Sequence, residues 1–297
     1  MSLARALTGA FGRRLVTAVP FLWLALFFLA PFAIVFGISL SRSRFGVPPY
    51  EPLMVDGAVN ARLDNYSFLL GDPLYINALL NSLQIAATSA FICLLIGYPI
   101  ALGVARAPQK WRAPLLLAVV LPFWTSFLIR VYAWMGLLKN EGLINGLLQW
   151  LGIVDQPIQM LQTSFAVHLG IVYSYLPFMI LPLYATLERQ DLSLLEAASD
   201  LGARPFRAFL TITLPLSLPG VAAGFLLVFI PAVGEFVIPE LLGSSSTIMI
   251  GKVLWTEFFN NRDWPLAAAL AVGILALIVA PLAWLEQMRL RREEARR

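Results

Sequence analysis

Four charged residues define the chemistry open to this chain. Glu196 and Asp200 lie in a polar break in the second half of the chain, Leu192–Pro219, and Arg130 and Glu235 lie within or beside apolar runs. Glu196 and Asp200 stand four apart, so on a helix they share one face. A like-charged pair at that spacing costs an isolated helix roughly 0.2–0.5 kcal/mol. Either a solvated connector or a basic surface docked on the pair accounts for it, and spacing alone leaves both open. Ser193, three residues before Glu196, has capping-box spacing and predicts the start of a short helix. Gly202 fits the position that ends this helix, and Pro205 the first turn of the next. Leu194, Ala198 and Leu201 fall at i, i+4 and i+7, which predicts its apolar face.

The charges in the apolar runs point to recognition of a charged solute. Glu235 lies in PAVGEFVIPE, where Pro231 and Gly234 can break a helix. A carboxylate at such a break suits an organic cation through charge, helped by cation–π attraction to nearby aromatic rings. An interfacial glutamate at a helix end is the alternative. Trp124, Tyr173 and Tyr175 are candidates to line the same pathway, set against ordinary packing or a place in an interfacial aromatic belt. Arg130, beside Trp124, Tyr132 and Trp134, is either a pathway residue or an arginine that snorkels or pairs helices. The single histidine, His168, and the single cysteine, Cys93, both lie in apolar runs. That removes an internal disulfide and cysteine- or histidine-cluster metal sites, so no metal is expected. No carboxylate, histidine and serine group at catalytic spacing, and no GxxxxGK[ST] stretch binds nucleotide. The chain therefore reads as a non-enzyme that takes its energy from outside.

The elements that must position these residues are membrane-spanning helices. The chain has 297 residues, 59% hydrophobic and 13% charged, with a mean hydropathy of +0.79. Ordinary soluble domains carry about 25% charged residues, so the lipid bilayer is the solvent. Uncharged runs cover Leu15–Ser41, Pro73–Ala105, Ala113–Ile129, Gln156–Leu187, Ala208–Gly234 and Trp264–Leu285. A span needs about 20 residues, so each run supplies one, with the third continuing through Arg130 to about Leu138. The first run is too long for a secretory signal and reads as a retained span. The expectation is an all-α protein of six transmembrane helices. Pro31, Pro99, Pro122, Pro177, Pro182 and Pro231 predict kinks.

Orientation follows from lysine and arginine. With the N-terminus inside, the inner segments hold Arg5, Arg13, Arg14, Arg106, Lys110, Arg112, Arg189, Arg204, Arg207, Arg289, Arg291, Arg292, Arg296 and Arg297. The outer loops hold Arg42, Arg44, Arg62, Lys139, Lys252 and Arg262. The bias puts both termini and the Glu196 stretch in the cytosol. Of the outer loops, Arg42–Asp72 is rich in turn residues and is expected to be ordered only by contacts with other chains or the bundle. Asn140–Gln162 holds an amphipathic piece, Leu143–Leu151, with Trp150 as interfacial anchor. Pro239–Asp263 holds a turn at Gly243–Ser246 and a short helix near Ile248–Phe259.

A family resemblance rests on the opening stretch. Glu196-Ala197-Ala198, three residues, Gly202, nine residues, Ile212, one residue and Leu214-Pro215 match the EAA signature of inner-membrane permeases of ABC importers at every defined position. The segments 63–83, 121–145, 172–184 and 231–265 resemble polyamine-importer permeases, the last segment looking closest to the first-permease branch of putrescine importers. The resemblance implies a type I importer (MetI-like) fold and a multi-pass place in the bacterial inner membrane. It implies a cytosolic segment 1–14, an extra span 15–40, a periplasmic loop 41–76, a transmembrane domain 77–285 with coupling loop 188–215, and a cytosolic tail 286–297. It also implies a second homologous permease, two copies of an ABC ATPase that bind ATP and magnesium, and a periplasmic polyamine-binding protein; no nucleic acid is expected. Ser193, Glu196, Ala197, Ala198, Asp200, Gly202 and Pro215 then belong to ATPase coupling. Rival readings are a permease for spermidine or another small solute, a secondary carrier, and a membrane-embedded enzyme or scaffold. The signature match weighs against a secondary carrier and the missing catalytic cluster against an enzyme.

Overall fold

The computed structural model describes residues 10–55, 58–244 and 247–294. Ser245 and Ser246 of the expected turn, and Arg5, Arg296 and Arg297 of the charge count, lie outside the described residues. Five helical segments are long and apolar enough to cross a membrane: Val16–Ser39, Pro73–Arg106, Ser164–Leu187, Pro205–Val233 and Trp264–Trp284. A sixth crossing is reached if the bent pair Gln109–Trp124 and Phe127–Trp150 is one span.

That pair corrects the expected third span. Its halves meet at 86°, with Thr125 and Ser126 at the break. Pro122 begins a tight 3-10 turn, Leu121–Trp124. Thr125 and Ser126 then take extended conformations, with ψ of 153° and 138°. The Thr125 hydroxyl donates to the Pro122 carbonyl at 2.8 Å, offering the backbone an alternative to the helical ladder. Uncharged hydroxyl residues pass unnoticed in an apolar run.

The chain divides into two compact units, residues 1–73 with 254–297, and 74–253. In the first, α1 (Ala10–Leu24), a π turn and α2 (Ala30–Ser39) form the N-terminal span. The π turn precedes Pro31, which lacks an N–H. The wider turn lets the Ala30 amide reach the Ala25 carbonyl instead. From Val16 to Leu29 every residue is exposed, as suits a surface facing lipid. A two-rung antiparallel ladder (β1 Met54–Val55, β2 Ala58–Val59) and α3 (Asp64–Gly71) follow. The 42–72 loop takes order from its own unit. Asn65 Nδ2 donates to the Ser39 and Ser41 carbonyls, both at 2.9 Å, and the Ser39 and Tyr66 hydroxyls share a bond of 2.7 Å. The last helix, α14 (Trp264–Glu294), packs on α2 and α3.

The second unit holds α4 (Pro73–Arg106), α5 (Gln109–Val120), α6 (Phe127–Leu138), α7 (Leu143–Trp150), α8 (Ser164–Leu187), α9 (Ser193–Asp200), α10 (Pro205–Ala208), α11 (Leu214–Val233), α12 (Val237–Leu242) and most of α13 (Ile250–Trp255). The amphipathic piece and the expected outer helix are thus present as α7 and as α13 with its π continuation, Thr256–Asn260. The core lies among α4, α8 and α11, built on Ala90, Cys93, Ala101, Met179, Leu183 and Val228. Its tightest seam joins α8 to α11 in antiparallel sense. A Cβ at Gly220 would stand 2.5 Å from Thr186 Oγ1 and 2.9 Å from the Pro182 carbonyl; one at Gly224 would stand 2.8 Å from Met179 Sδ. Small residues four apart let backbones touch, which is how helices associate in lipid. A buried Tyr98–Ser217 hydroxyl bond of 2.8 Å ties α4 to α11.

Candidate functional site

The polar stretch 188–215 folds as a bent connector between α8 and α11. Its helix α9 starts at Ser193, as expected, but no capping box forms. Asp191 Oδ1 accepts the Ser193 amide at 2.9 Å in an Asx turn, so Asp191 does the work expected of Ser193. That amide, aided by the Ser193 side chain, holds the Asp191 carboxyl below its usual range. The D-x-S spacing carried this signal in the sequence. Gly202 ends α9 with φ of +77°. Its amide reaches the Ser199 carbonyl and that of Ala203 the Ala198 carbonyl, both at 2.9 Å, which is a Schellman motif. Pro205 opens α10. A second π turn, Phe209–Thr213, then precedes Pro215 as the first precedes Pro31.

The faces of α9 correct the expected apolar stripe. Leu195 and Ala198 turn inward and are half-buried, while Leu194 is exposed and Leu201 is 88% exposed. Ser193, Glu196, Ala197 and Asp200 are exposed as well. With Phe206 on the next turn also exposed, the segment presents carboxylates and large apolar groups outward together. An apolar face left open beside charges is a docking surface in chemical character. Behind it lies a cleft of about 400 Å³, lined by Leu102, Arg106, Arg112, Glu188, Leu195 and Glu196 among others.

The charges within the bundle sit at the two ends of a chain of aromatic rings. Glu235 follows the end of α11 at Val233 and is 8% exposed. Tyr175 of α8 donates its hydroxyl to Oε2 at 2.5 Å, and Oε1 accepts the Val237 and Ile238 amides at 3.0 and 3.4 Å. Glu235 is therefore anchored in place by three donors, two on one oxygen and one on the other. Tyr175 meets Phe178 with ring centres 6.1 Å apart, and Phe178 meets Phe123 edge-on at 5.5 Å. The Arg130 guanidinium lies 4.6 Å from the Phe123 ring centre and 5.9 Å from that of Phe127. Arg130 is 9% exposed, and its Nε and Nη1 are buried without a hydrogen-bond partner among the described residues. Its guanidinium is buried among ring faces. Tyr173 packs edge-on with Trp134 at 5.4 Å, apart from that chain, and Trp124 is 74% exposed. Of the five expected pathway residues the structure joins Tyr175 to Glu235 directly and Arg130 to them through Phe123 and Phe178. Those two phenylalanines, among twenty in the chain, carried no signal that singled them out.

His168 and Cys93 serve locally. The imidazole bonds the Thr88 hydroxyl and the Ser164 carbonyl, both at 2.7 Å, and the thiol points at the Val172 carbonyl. Among the described residues no three metal-ligating side chains converge.

The chain is thus predominantly helical, with a polar connector whose helix α9 ends in a Schellman turn and presents an open acidic and apolar face. The family model for binding-protein-dependent transport system inner membrane components matches residues 13–287, and the chain belongs to that family. It is a non-catalytic, multi-pass inner-membrane subunit. A spermidine/putrescine transport system permease protein, PotB, of Haemophilus influenzae is 41% identical over 266 residues, 90% of each chain. PotB of Escherichia coli K12 is 46% identical over 212 residues, 71% of this chain and 77% of its own. An inner membrane ABC transporter permease of Escherichia coli, YdcU, is 33% identical across 91% of the chain. In fold, a subunit of a bacterial ABC transporter that imports the acidic polysaccharide alginate superposes with a TM-score of 0.70 at 16% identity. That superposition covers 98% of this chain and 99% of the other.

Proposed function

We propose that this chain is one of two homologous permeases in an ATP-driven polyamine importer, with putrescine the favoured substrate and spermidine the nearest alternative. The observation that carries the proposal is the 41% identity across 90% of the chain with a relative named for spermidine and putrescine. The resemblance of segment 231–265 to the putrescine branch supports putrescine within that pair. Two ATPase copies bind ATP and magnesium below, and a periplasmic polyamine-binding protein docks above. The lysine and arginine bias supports cytosolic termini. The binding protein delivers the cation, and ATP closes the ATPase pair against α9. The spans then move so that the cavity changes sides. ATP drives this because it binds one arrangement better than the other. Glu235 and Tyr175 offer the cation a fixed carboxylate, with aromatic faces beside it.

The test is uptake of labelled putrescine and spermidine into vesicles holding both permeases and the ATPase, with the binding protein added. ATP-dependent uptake with putrescine preferred is expected. A preference for spermidine overturns the substrate assignment, and uptake that needs no nucleotide overturns ATP coupling in favour of a secondary carrier.

A further inference from the structure

The exposed face of α9 marks where an ATPase would push, and besides the core packing of α4, α8 and α11 a polar contact at its root joins α5 to α4 and α8. Arg112, in the first turn of α5, touches the ends of two further elements. Its Nε donates to the carbonyl of Ala107, the first residue beyond α4, at 2.9 Å. Its Nη1 donates to Glu188 Oε1 at 3.1 Å, and Glu188 is the C-cap of α8. One guanidinium thus closes the ends of α4, α5 and α8 into a single junction, three residues before Asp191 starts the turn into α9. A planar fork with several donors can hold two acceptors on different elements at once, and an ammonium is a poorer fit. A cation where α4 and α8 present their last carbonyls also complements both helix dipoles. On the far side of the bend Gln190 Nε2 donates to the Thr213 carbonyl at 3.0 Å, so the stem of the segment is tied to the start of α11 as well.

We propose that Arg112 is a positioning residue that transmits displacement of the coupling segment into α4 and α5, with Glu188 as its partner. This rests on the coupling role given to α9 above. The ion pair is 30% and 39% exposed, and pairs so exposed contribute little to folding stability. Its removal leaves the fold in place and severs a mechanical link.

The test uses the reconstituted importer with labelled putrescine as the probe, reading ATP hydrolysis and uptake in the same vesicles. Arg112→Glu is expected to assemble, bind the ATPase and hydrolyse ATP, while uptake per ATP falls about tenfold, a typical size for coupling between sites. Arg112→Gln replaces it if the reversed charge prevents assembly. Combining Arg112→Glu with Glu188→Arg restores the pair with opposite polarity and recovers part of the loss. A purely structural arginine would lower assembly, hydrolysis and uptake together and leave their ratio fixed; that result, or a double variant no better than the worse single one, overturns the proposal. Glu196→Lys, run alongside, separates the two claims. If that variant keeps full ATPase binding and uptake, the coupling role of α9 itself fails. If it loses ATPase binding while Arg112→Glu and Arg112→Gln keep normal uptake per ATP, only the junction fails.

Discussion

Glu235 shows how a carboxylate is held in place within a bundle by donors on both of its oxygens. Its oxygens are fixed by Tyr175 and two backbone amides, so it neither swings away nor needs an internal partner. Glu235→Gln keeps the size and one acceptor but removes the charge. Polyamine uptake should fall about tenfold or more, the worth of a hydrogen bond to a charged group, with ATPase binding retained. Unchanged uptake would make Glu235 a helix cap only. Asp191 supports a different test at the same scale. Its folded pKa lies below the ordinary value of about 3.8, so the turn's contribution is full above that value. It is lost as pH falls through the lower, folded pKa. Exchange of the Ser193 amide should therefore quicken, beyond the intrinsic rate, only in that acid window, and Asp191→Asn should remove the pH step. The sequence exposed Glu235 as an outlier because charge is rare in such runs. It could not name the Tyr175 contact, which joins positions 60 apart.

Helices were legible where their boundaries are chemical. Gly202, Pro205 and the charges Asp72 and Arg106 around α4 marked ends that the structure keeps, whereas the last helix runs on past Glu286 to Glu294. The 86° break at Thr125–Ser126 was hidden because hydroxyl residues satisfy their own backbone and interrupt no hydropathy pattern. The exposed side of α9 was hidden for another reason: a stripe of leucines predicts burial, but not whether the covering surface belongs to the same chain. The seam between α8 and α11 gives a sharp prediction. Gly224→Leu should lower stability by about 1–3 kcal/mol through overpacking against Met179. Gly103→Ala, with nothing within 4 Å of the new Cβ, should be neutral or stabilising. Melting in detergent checks both.

At the scale of the molecule, the chain shows a membrane subunit with more surface than it can cover. Composition made the bilayer legible, and the lack of a nucleotide-binding loop made an outside energy source necessary. Partners could be inferred from the sequence only through resemblance, because a docking face and a solvated connector share the same composition. Glu196→Lys tests the difference: the two permeases should still co-purify, while the ATPase is lost and uptake stops. An ATPase that remains bound would assign the acidic face to water.

The glycine seam has a mechanical consequence. The helices it joins are the two that enter and leave the 188–215 bend, so under the proposed function the connector would be the handle of a two-bladed oar. Backbone contact at Gly220 and Gly224 leaves the blades little room to slide past one another. Torque applied at the handle, as the proposed function requires, would turn both together, with the stiffness of that stroke set by two missing side chains.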